Sequence, residues 1–64
     1  VNESARYRLA WLMWCFDQGY RTPEDRALMT NWMLEPDDQQ HPDDLVEKEQ
    51  LLRMADEVLV AMAE

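Results

Sequence analysis

One cysteine, one glycine and one histidine are all that this 64-residue chain holds of three residue types on which much protein chemistry depends. Cys15 alone cannot close an internal disulfide, and its place inside an apolar run reads as a small hydrophobe suited to a reducing cytoplasm. A single glycine leaves no glycine-rich loop to cradle a phosphate. A single histidine without a cysteine pair leaves no zinc-ligand spacing. No nucleophile, base and oxyanion donor converge from what remains, so the sequence predicts no enzyme and no cofactor. Long apolar runs are also missing. The longest, Leu9–Phe16, covers eight residues, against the roughly 20 that a membrane helix needs. Arg6 and Arg8 precede it as they would a signal-peptide core, but Asp17, Gln18 and Gly19 follow without a small-residue cleavage pattern. The expectation is a cytoplasmic protein without membrane contact.

Basic residues are scarce where acids are dense. Residues 1–34 carry four acids against four arginines, whereas residues 35–64 carry ten acids against Lys48 and Arg53, giving a net charge of −8. Such a surface repels phosphate backbones and anionic lipid, and steers basic protein surfaces toward it. Direct nucleic-acid binding is therefore not expected. A helix-turn-helix arrangement around Gly19 fails on the same ground, since the second helix offers only Arg26 to a groove. With 47% apolar residues the chain is nonetheless expected to fold. A domain this short buries only roughly 60% of its unfolded surface, so efficient packing or self-association must supply stability.

Apolar positions recur at helical spacing, and three prolines with the lone glycine punctuate the segment ends. The pattern predicts an all-α fold, a small three-helix bundle with helices at about 3–18, 23–35 and 42–63 and an acidic linker at 36–41. Asn2 or Ser4 caps the first helix and Gly19 ends it. Thr22 caps the second, with Pro23 at its first position and Asp25 facing the helix dipole, and Pro36 bars its continuation past Glu35. Pro42 opens the third and longest helix. Its expected core face is Leu45, Leu52 and Leu59, with Ala55 and Met62 on the adjacent seam and Leu51 and Val58 widening it. The expected opposite arc is an acidic ridge of Asp43, Glu47, Glu49, Asp56, Glu57 and Glu64.

The first helix is apolar on two sides. Ala5, Leu9, Leu12 and Phe16 share one face, and Tyr7, Trp11 and Trp14 lie almost opposite. A helix covered on both sides would be the central one, flanked by the other two. Alternatively, Tyr7, Trp11 and Trp14 form a contact surface, since aromatic residues dominate interaction hot spots. Trp32 and Met33, with Met29 one turn back, offer a second adaptable patch. The carboxylates around His41 lack the glycine turn and closing glutamate of a calcium-binding EF-hand loop, and no metal site is expected.

These features predict a protein-interaction module, a small acidic regulator or adaptor that binds a partner protein, one with a basic surface. Its expected contact residues are Tyr7, Trp11, Trp14 and Trp32, joined by Asp43, Asp44, Glu47, Asp56 and Glu57. The alternative is a nucleic-acid-mimicking inhibitor, of the kind phages and mobile elements carry, in which the acids occupy the basic groove of a nucleic-acid-binding protein. A homodimer paired through the long third helix is the remaining possibility.

Overall fold

Local signals at the ends of the segments set where the helices start and stop. The computed structural model describes residues 3–64, which form an all-α chain with no strand among the described residues. Helix α1 spans Glu3–Asp17, α2 spans Pro23–Ala27 and α3 spans Pro42–Ala63. Asn2, one expected cap of α1, lies outside the described residues. Ser4, the other, stands inside the first turn. At the far end Gly19 takes φ 96°, and the Gly19 N–H donates to the Phe16 carbonyl while the Tyr20 N–H donates to Cys15. This paired closure needs a left-handed residue, which glycine supplies without a Cβ penalty.

The second predicted helix is the part that departs from expectation. It begins as read, with the Thr22 Oγ1 accepting from the Asp25 N–H at 3.1 Å, but it ends at Ala27 instead of Glu35. A separate 3-10 turn, Trp32–Leu34, follows. Two causes are visible. The five-residue α2 buries none of its residues, so packing does not sustain it. Asn31 then offers its side-chain oxygen to the Met33 N–H at 3.2 Å, a local bond that competes with helix continuation. A further 3-10 turn, Asp37–Gln39, leads to α3. There His41 is the N-cap, its Nδ1 accepting from the Asp43 N–H at 3.2 Å.

Helices α1 and α3 run antiparallel, since Arg6 meets Asp56 while Met13 and Asp17 stand beside Leu51 and Glu47. Between them sits the core of Ala10, Leu52 and Ala55, closed on one side by Met33. Ala10 and Ala55 are fully buried. Two alanines in the shared core let the helix backbones approach closely. The place expected for a full second helix is thus taken by one 3-10 turn, whose Met33 joins the α1–α3 core. Extents of 34 × 29 × 17 Å make the body flat. A flat body of helices about 10–12 Å across leaves one broad side of the α1–α3 pair without a covering layer.

The core face of α3 keeps the expected leucine seam, with Leu52 and Ala55 buried and Leu45, Leu51 and Leu59 half-buried. Lys48, Leu52 and Ala55 are its buried positions, whereas Met62 and Val58, expected on or beside the seam, are 78% and 39% exposed. Lys48 is the buried position that the leucine pattern leaves out. Because Ala55 is fully buried in the shared core, Ala55→Leu is expected to cost about 1–3 kcal/mol. Urea unfolding of the variant against the wild type checks this.

Candidate functional site

The aromatic residues expected at a contact surface lie on the side of α1 that meets the 3-10 turns. Tyr7, Trp11 and Trp14 pack against the buried core, as does Trp32 from the facing turn, and each is half-buried. Trp14 and Trp32 meet edge to face, with centroids 5.8 Å apart and planes at 75°, and Tyr20 lies 6.1 Å from Trp14 on another side. This geometry suits the aromatic quadrupole. The indole N–H groups of Trp11 and Trp32 are buried without a hydrogen-bond partner among the described residues.

A buried cation, unforeseen in the sequence, ties this side together. Lys48 is 7% exposed, yet its Nζ donates to Asp37 Oδ1 at 2.7 Å and lies 5.7 Å from the centre of the Tyr7 ring. Its four-carbon stem continues the apolar stripe of α3 while its head reaches the linker, which is how a lysine occupies a seam position. Gln40 fastens the same linker, its Nε2 donating to the carbonyls of Trp32 at 3.2 Å and Glu35 at 2.9 Å. Arg26 does the equivalent for α2, donating to the Arg21 carbonyl at 3.0 Å and standing 5.0 Å from the centre of the Phe16 ring.

The five acids expected at the contact surface do not form one ridge. Asp43, Asp44 and Glu57 are exposed, and Glu47 is half-buried. Asp56 instead turns inward to Arg6, which donates from Nε at 2.7 Å and Nη2 at 2.9 Å, a two-pronged and partly shielded pair. Glu49 pairs with Arg53 one turn away at 3.0 Å. The step of about 100° between adjacent helix positions separates Asp56, turned to Arg6, from Glu57. Among the described residues no three metal-binding side chains converge.

On the uncovered side of the α1–α3 pair, apolar residues stay in solvent. Met13, Leu51 and Met54 line a groove of about 330 Å³ whose polar edge is Asp17, Glu47 and Gln50. Met54 is 51% exposed, and the four-residue spacing carries the stripe on through Val58 to Met62. From α1, Leu9 and Leu12 are half-buried and Phe16 is exposed. The sequence signals for this face were the Ala5, Leu9, Leu12 and Phe16 side of α1 and the repeat Met54, Val58, Met62. The second group was assigned in part to the core and its role was missed.

Cys15, fully buried, is chemically quiet. Burial pushes its thiol above the ordinary range, and the neighbouring Arg26 guanidinium offsets part of that rise. Compared with known proteins, the chain matches no family model, no curated protein and no solved structure.

Two measurements follow from these contacts. Asp37→Ala leaves a buried ammonium without its carboxylate and should cost about 1–3 kcal/mol. Lys48→Met removes both the charge and its need for a partner, and should cost less. Chemical denaturation of both variants tests that order. For Cys15 the unfolded thiol ionises near its usual pKa of about 8.5 while the folded thiol holds its proton to higher pH. Its contribution to stability is therefore complete below that value and lost as pH rises through it. The stability of the wild type relative to Cys15→Ala should fall above pH of about 8.5, measured by thermal unfolding across a pH series.

Proposed function

We propose that this chain is a non-enzymatic protein-interaction module, a small regulator or adaptor of the cytoplasm, built as a minimal helical bundle. Its docking surface is the uncovered face of α1 and α3, and its partner is a protein that presents an apolar helix flanked by basic residues. The observation that carries this reading is the groove of Met13, Leu51 and Met54, continued by the exposed Val58 and Met62. Contiguous exposed apolar surface on a small protein marks contact sites, and a groove between two helices accepts a third helix. Asp17 and Glu47 at its edge, Glu57 on the adjacent arc and the net charge of −8 favour lysine or arginine on the incoming helix. The same acids repel a second copy of the chain, which makes a homodimer the weaker occupant.

Tyr7, Trp11, Trp14 and Trp32 support this surface from beneath by fixing the turn side of α1. The nucleic-acid-mimicking alternative draws on the exposed Asp43 and Asp44, which stand with Asp38 and Glu35 around the start of α3. It is weakened by Asp37 and Asp56, whose charges are matched inside the molecule by Lys48 and Arg6.

Met54→Asp and Val58→Asp place charge on the docking face at exposed positions, so the thermal midpoint should move little. Captured partner should fall by about tenfold or more, as expected when an apolar anchor is lost. Quantitative capture from native lysate, at low and high salt, is the check. Partner retained by both variants but released by salt alone would favour the mimicry reading. Wild-type mass that doubles with concentration and reverts in Met54→Asp would favour the homodimer.

A further inference from the structure

Behind the linker lies a recess of about 250 Å³ lined by Trp14, Trp32, Glu35, Gln39, Gln40, His41 and Asp44. Its volume is below the roughly 300 Å³ at which pockets for drug-sized ligands begin, so it suits a headgroup. Two of its walls are indoles at 75° to each other, which makes an aromatic corner. Glu35 and Asp44 stand at its edge, both exposed, and neither lysine nor arginine lines it. Gln40 contributes one buried acceptor, Oε1, without a partner among the described residues.

The distribution of cations over rings elsewhere in the molecule adds to this. Arg6 and Lys48 lie over Tyr7 and Arg26 lies over Phe16, whereas among the described residues no cation stands over an indole. Indole is the strongest of the aromatic faces for a cation. The best cation-binding rings of the chain are thus the ones its own cations leave open, and two of the three line one acid-edged recess.

We propose that the Trp14–Trp32 recess binds a substituted ammonium group. Methyl substituents fit aromatic walls better than a bare ammonium does, because the bare ion loses more hydration on entering. Glu35 and Asp44 supply the long-range attraction, screened by salt because they are exposed. Such a group comes either from a methylated lysine of a protein or from a free quaternary amine such as choline. The recess is separate from the α1–α3 docking groove, so failure of one proposal leaves the other standing.

The test is a titration of the intact chain with choline, with a peptide bearing trimethyl-lysine, and with 3,3-dimethylbutan-1-ol, the neutral carbon analogue of choline. The readout is the indole N–H resonances of Trp14 and Trp32, with Trp11, which lies outside the recess, as the internal reference. The expected result is saturable shifts of Trp14 and Trp32 for at least one cation, with the neutral analogue weaker by about fivefold or more. Glu35→Gln combined with Asp44→Asn, both at exposed positions, should weaken the cation and leave the thermal midpoint in place. Tighter binding of the peptide than of choline assigns the group to a protein, and the reverse assigns it to a free amine. Equal binding of the neutral analogue, shifts shared by Trp11, or no saturable shift with either cation overturns the proposal.

Discussion

Ala10 and Ala55, both at zero exposure between α1 and α3, set the distance on which the rest of this molecule is built. Leu52 belongs to the same buried cluster, and Met33 closes one side of it. The two-pronged pair of Arg6 with Asp56 then fixes the register of the antiparallel helices near one end. A larger residue at either alanine would part the helices and shift every other contact at once, because cores at crystal-like density transmit small displacements.

With so little core, polar clamps take on the work that a longer second helix would have done. Lys48 holds the Asp37 turn, Gln40 holds the backbone of Trp32 and Glu35, and Arg26 holds the segment after Gly19. Each clamp joins a side chain to a segment distant from it in structure type, so loops without regular hydrogen bonding still have fixed positions. One consequence concerns charge. Arg6, Lys48 and Arg53 are engaged with carboxylates of the chain itself, and Arg26 with its carbonyls. The acids left over, among them Asp43, Asp44 and Glu57, face solvent. The outward field is therefore anionic around both the apolar groove and the aromatic recess.

The two proposed binding surfaces lie on different parts of the body and use different physics. Groove docking depends on removing apolar area from water and is comparatively insensitive to ionic strength. Cation capture at the indole corner draws part of its strength from exposed carboxylates and weakens in salt. Their separation follows from the flat shape, in which the 3-10 turns cover one side of α1 and α3 and nothing among the described residues covers the other.

The sequence by itself determined the all-α class and the bounds of α1 and α3, because Gly19 and Pro42 are local stop and start signals whose physics needs no tertiary partner. It also determined the cap at Thr22 and the concentration of negative charge in the second half. Tertiary structure decided where that local logic runs out. Whether helix two continues past Ala27 depends on packing that the five residues of α2 do not have, and on an Asn31 side chain with a nearby amide to bond. Which residues join the leucine seam of α3 depends on tertiary contacts, which bury Lys48 and leave Val58 and Met62 exposed. The aromatic stripe posed the hardest case. Periodicity places Tyr7, Trp11 and Trp14 on one face, but only the position of the Trp32 turn, distant in sequence, sets that face against the core and leaves the opposite side bare.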